Sequence, residues 1–96
     1  MRKVVLSPRA RSDLSGIWDY TFEKWGVEQA EKYVRELWDE IQLLARDHSA
    51  STDISDVRAG YRKKKTGSHV IFFKLIDDGI DVIRILHQRM DFDRHL

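Results

Sequence analysis

Apolar positions change their spacing twice along this chain, and the changes mark its elements. Lys3–Leu6 is a short β-prone run. Ser7-Pro8 then punctuates it. Ser is a good N-cap, and Pro suits the first helical position, where its missing N–H costs nothing. From there Ala10, Leu14, Ile17, Trp18, Phe22 and Trp25 recur at helical spacing, with polar residues between them. The pattern predicts an amphipathic helix with an aromatic face. Gly26 is placed to stop it in a left-handed conformation. Val27, Ala30, Val34, Leu37, Trp38, Ile41, Leu44 and Ala45 trace a second stripe, and Glu28 and Glu31 in its first turns complement the helix dipole. So short a connection predicts an antiparallel αα-hairpin, with Trp18, Trp25 and Trp38 packed in or beside it.

After a polar, Ser- and Asp-rich segment at 47–56, read as a loop, the period becomes that of strands. Three runs, about 57–65, 68–76 and 80–87, are separated by Thr66-Gly67 and Asp77-Asp78-Gly79. Asp-Gly between apolar runs is a strong hairpin signal, because the turn needs positive φ and Gly supplies it. Gly60 reads as a bulge or a close backbone approach within the first run. The middle run is nearly continuously apolar, as expected of a strand covered on both faces or flanked on both edges. In the last run Ile80, Val82, Arg84 and Leu86 alternate with Asp81, Ile83, Ile85 and His87. Both sets are mixed, so the alternation does not say which face meets the helices. The tail, 88–96, offers Met90, Phe92 and Leu96 as anchors. The order β-α-α-β-β-β is α+β: a helical hairpin packed on one face of a small antiparallel sheet, the other face comparatively open.

Composition narrows the function classes. Ninety-six residues allow one domain, 1–96, with one core. Seventeen Lys and Arg against sixteen Asp and Glu leave a formal charge of +1, so bulk charge argues neither for nor against nucleic acid. The absence of cysteine excludes disulfides and thiolate chemistry and suits a cytoplasmic protein. The start, MRKVVLSPRAR, has no apolar stretch long enough for a signal peptide, and no run approaches the roughly 20 residues that span a bilayer.

The chemistry-bearing residues gather in the strand region: Arg62, Lys63, Lys64, Lys65, Arg84, His87 and Arg89. Cations crowded on one face bind phosphate, and a histidine beside them can move a proton. That is the inventory of a metal-free ribonuclease, with Arg62, Arg84 and His87 in the catalytic roles. The same residues also read as a solvated strand end, with His87 closing the last strand. Histidines 48, 69, 87 and 95 lack zinc-ligand spacing, and Asp91 and Asp93 stand alone, so no metal and no cofactor is expected. Gly-rich phosphate loops and G-x-S-x-G are absent. A small sheet covered on one face also leaves edges and grooves for a partner chain.

Three stretches carry a family resemblance: LSPRARSDLSGIWDYTFEKWG at 6–26, DISDVRAGYRKKKTGSHVIFFKL at 53–75, and VIRILHQRMDF at 82–92. Together they resemble the ParE toxins, in the RelE/ParE superfamily of toxin–antitoxin modules, across essentially the whole chain. The resemblance implies a toxin held inactive by a ParD-like antitoxin that wraps the helical hairpin and sheet. It implies that the free toxin poisons DNA gyrase without being a hydrolase, and without binding nucleic acid directly. Tyr61, Arg62, Lys63, Lys64, Arg84, His87, Arg89 and Met90 are the residues expected to meet antitoxin or target. Family members often carry Pro and Gly after the second helix, where this chain has DHSAST. The RelE-like branch, which cleaves mRNA on the ribosome, is the alternative. Its tyrosine or extra histidine near the C-terminus is missing here, His95 being the one candidate.

Overall fold

A computed structural model describes residues 2–96. The elements are β1 (Lys3–Leu6), α1 (Pro8–Trp25), α2 (Val27–Arg46), β2 (Thr52–Asp53), β3 (Tyr61–Thr66), β4 (His69–Ile76) and β5 (Gly79–His87), followed by a 3-10 turn at Phe92–Arg94. The sheet order is β1-β5-β4-β3-β2. Its pairs are antiparallel except β1 with β5, so the sheet is mixed rather than purely antiparallel. β2, a two-residue strand inside the segment read as a loop, adds a short edge beside Arg62 and Lys63.

The helices start and stop where their chemistry dictates. Ser7 Oγ accepts the Ala10 N–H at 3.0 Å, and Pro8 follows as the first helical residue. Gly26 sits at φ +91°, its N–H donating to the Phe22 carbonyl at 2.8 Å, and α2 begins at the next residue. The main core lies between the hairpin and the sheet. It takes Ala10 and Ile17 from α1, Leu37, Ile41, Leu44 and Ala45 from α2, and Ile71, Phe73, Ile80, Val82 and Ile85 from the sheet.

The buried stripe of α1 differs from the expected one. It runs Ala10, Ile17, Thr21, while Phe22 and Trp25 are exposed. Thr21 is four residues beyond Ile17, and its hydroxyl donates to the Ile17 carbonyl at 2.8 Å, which lets a polar side chain lie in the core. Trp18 and Trp38 are half-buried beside the hairpin as expected, but Trp25 is 65% exposed. Gly16, mid-helix and exposed, has no atom within 4 Å of where a Cβ would stand. Gly16→Ala should therefore raise stability by about 0.5–1 kcal/mol, read as an upward shift of the thermal midpoint. A fall would mean that the helix needs the glycine.

The strand boundaries also shift. Residues 55–60 form turns, so β3 starts at Tyr61, and Gly60 stands at φ +78° ahead of the strand rather than as a bulge within it. The bulge is in β5. Phe72 pairs with Arg84 but Phe73 pairs with Val82, which leaves Ile83 as an extra residue. Ile80 and Val82 before it, and Ile85 after it, all reach the helix-side core, while Leu86 joins the opposite face. This resolves the mixed alternation seen in the sequence: one extra residue changes the parity midway. The opposite face is less open than expected. Ile54, Phe72 and Leu86 form a second apolar cluster there, with Tyr61, Val70, Phe92 and Leu96 packed on it. Phe92 stacks on Phe72 at 5.3 Å, so the tail covers part of that face.

Candidate functional site

β1 pairs with β5 only as far as Val82. Beyond that point α1, not a strand, runs beside the β5 edge. The Ser7 hydroxyl donates to the carbonyl of the bulged Ile83 at 2.7 Å. Asp13 then takes three hydrogen bonds. Arg84 Nε and Nη2 donate to its two oxygens at 2.8 and 2.9 Å, and the Ile85 N–H donates at 2.9 Å. A bidentate pair of this kind fixes orientation as well as charge. Its hydrogen bonding to Asp13 holds the Arg84 guanidinium above its ordinary pKa, against a smaller opposing effect of burial. Arg84 Nη1 also donates to the His95 carbonyl at 3.0 Å, joining α1, β5 and the tail at one point.

Past this junction a groove opens along α1. One cavity of about 500 Å³ is walled by Gly16, Ile17, Tyr20, Met90 and His95, with Asp13 and Arg84 at its end. A second, about 490 Å³, is walled by Tyr20, Trp25, Gln29, Tyr33 and Ser68. His69 and His87 line both. They pair across β4 and β5, their rings edge to face at 5.4 Å. Tyr33, from α2, places its hydroxyl 2.6 Å from His69 Nδ1 and accepts the Ser68 N–H at 3.0 Å. Gly67, at φ +60°, allows this, since a Cβ there would stand 2.8 Å from the Tyr33 ring and hydroxyl.

Burial pushes the His69 imidazole below its ordinary value, His87 pushes the same way, and Asp13 opposes. The fold thus favours neutral His69, and below about pH 6.5 the unfolded chain takes up a proton that the native state resists. This contribution is complete above that pH and is lost as the solution is acidified through it. Denaturant midpoints should fall more steeply in wild type than in His69→Gln from pH 7.5 to about 5.5. Parallel pH profiles would count against it.

The residues singled out in the sequence are distributed over both faces. Arg62 pairs with Phe73 and His87 with His69, on the helix side, whereas Arg84 pairs with Phe72, of the opposite cluster. The partners of Arg62 and His87 stand four positions apart on β4, roughly 13 Å along the strand. Arg62 is occupied by Ser51, at 2.8 Å to its Oγ and 3.1 Å to its carbonyl, and by Asp53 at 3.6 Å. Arg62 is therefore not brought together with Arg84 and His87, which share the first cavity. Lys63 lies over Phe92 at 5.8 Å, and Lys74 over Tyr61 at 5.5 Å, both on the tail side. Lys64 pairs with Ile71 on the helix side, and Arg89 and Met90 are exposed just past β5. Among the described residues no cluster of three or more His, Asp or Glu could hold a metal ion. Sequence reasoning missed Asp13, Tyr33 and His69. Asp13 is a polar residue on a helix whose partners lie 71 and 72 residues away, and no local signal announces them.

By fold the chain is of the two-helix, five-strand type seen in solved toxin–antitoxin structures. It superposes with a TM-score of 0.75 on a chain of the chromosomal ParDE TA system from P. aeruginosa, at 20% identity, covering 91% of this chain and 96% of that one. In sequence it is 46% identical over 95 residues to Toxin ParE1 of Mycobacterium tuberculosis, spanning 98% of this chain and 97% of the relative. It is 42% identical to Toxin ParE1 of Caulobacter vibrioides, spanning 100% and 99%. The family model for the ParE toxin of type II toxin-antitoxin system, parDE, matches residues 4–92, and the chain belongs to that family. No helix among the described residues is long and apolar enough to cross a membrane.

Proposed function

We propose that this toxin is neutralised by a ParD-like antitoxin seated in the groove between α1 and the end of β5, and that the free toxin inhibits DNA gyrase and so replication. The observation that carries the antitoxin site is apolar exposure without a structural reason. Tyr20 is 57% exposed, Trp25 65% and Met90 49%, and all three wall the two cavities. Exposed aromatic groups gathered along one groove mark a partner surface. Family membership and the ParDE system that shares the fold support the same reading. For gyrase the support is the family alone, with Tyr61, Lys63, Lys64, Arg89 and Met90 as the exposed or half-exposed contact candidates. The ribonuclease alternative has less behind it, because Arg62 and Arg84 are occupied by ion pairs and leave opposite faces.

Purified toxin, stripped of antitoxin, should block supercoiling by gyrase at micromolar concentration and accumulate cleaved DNA. Unaffected gyrase with intact supercoiling would overturn the target. Codon-proximal mRNA cuts in a translating extract, lost in His87→Ala, would establish the alternative.

A further inference from the structure

The walls of the groove contain more chemistry than an apolar partner needs. Tyr33 accepts the Ser68 N–H, so its own O–H is free to donate to His69 Nδ1 at 2.6 Å. His87 Nδ1 accepts the Arg89 N–H at 3.2 Å. With both Nδ1 atoms acting as acceptors, each neutral ring carries its proton on Nε2. Neither Nε2 has a hydrogen-bond partner among the described residues. Both rings line both cavities, so two N–H donors without a partner stand on walls that the cavities share.

Among the described residues no unpaired carboxylate opposes an anion here. The one carboxylate on the two cavity walls is Asp13, and Arg84 already engages both of its oxygens. The other titratable or cationic groups on the cavity walls are Tyr33 from α2, Tyr20 from α1, Arg84 from β5 and His95 from the tail. We propose that His69 and His87 form a carboxylate-binding site, which receives an Asp or Glu side chain of the antitoxin. The antitoxin as source rests on the reading above; the site itself does not. Its two N–H donors suit the two oxygens of a carboxylate, and protonation of either ring strengthens the attraction.

Two measurements test this by NMR of the histidine side chains. In free toxin, acetate titrated against chloride at equal ionic strength should shift both Nε2 resonances saturably and move the His69 midpoint upward, with the saturable part lost in His87→Gln. Identical responses to acetate and chloride, or an unchanged acetate response in the variant, would overturn the site. In the intact toxin–antitoxin complex the His69 midpoint should rise by about half a unit or more over the free toxin. A fall, as burial under an apolar side chain demands, would overturn the antitoxin carboxylate. The gyrase assay bears on neither outcome, so failure of the target and failure of this site are separable.

Discussion

Asp13→Ala should lower the unfolding free energy by about 3 kcal/mol, the range expected when one member of a largely buried ion pair is removed. Both side chains of the Asp13–Arg84 pair are 14% exposed, so little solvent is at hand to replace the lost partner. The variant strands two groups at once. The Arg84 guanidinium loses both of its carboxylate bonds, and the Ile85 N–H loses its acceptor. An unsatisfied buried donor and an unpaired buried charge are each costly. Arg84→Ala removes the charge as well as the bond, and it frees the His95 carbonyl. The double variant should therefore be less destabilised than the sum of the two singles. Urea unfolding of the four proteins reads this directly. Additive effects, or a loss below about 1 kcal/mol for Asp13→Ala, would mean that the pair behaves as a solvated surface contact.

Gly79→Ala should be comparably damaging, by about 3 kcal/mol, and for a different reason. The Asp77-Asp78-Gly79 stretch reads in sequence as a turn that uses Gly for positive φ. The structure keeps the hairpin but not that reason. Gly79 has no positive φ; it is buried as the first residue of β5, opposite Lys3. A Cβ there would lie 1.7 Å from the Lys3 carbonyl oxygen and 2.6 Å from its carbon. Those are backbone atoms, tied in place by the Lys3 N–H bond to the Asp78 carbonyl at 2.7 Å. β1 must move away, and its four-residue pairing goes with it. Hydrogen exchange should show loss of protection in β1 and at the start of β5, while the β3–β4 pairing keeps its own. Unchanged protection in β1 would contradict this.

Local physics made much of the architecture readable. Ser7-Pro8 and Gly26 fix helix ends through hydrogen bonds to their own neighbours, so residue types in order are enough to place them. Thr66-Gly67 and the stretch before Ile80 likewise mark hairpins within a few residues. What escaped depends on distant contacts. The extra residue at Ile83 inverts the alternation of β5, and no composition signal distinguishes it from its neighbours. Thr21 looks polar until its hydroxyl finds the Ile17 carbonyl, which hands the core position to it and leaves Trp25 outside. The basic residues could be picked out by type, but their grouping depended on which β4 residue each one faces. The Tyr33–His69 contact joins α2 to β4 across 36 residues and had no sequence signature.

The parallel pairing of β1 with β5 has a consequence for how the protein is made. Ser7 and Ile83 are 76 residues apart, and β5 is the last of these five strands to leave the ribosome. Until it does, β1 has no neighbour in the sheet, and α1 lacks the edge that Asp13 and Ser7 grip. Such long-range closure slows folding, because chain entropy is lost before the contacts form. A nascent chain short of Gly79 cannot complete this fold, so the groove beside α1 comes into being only after β5 has been made.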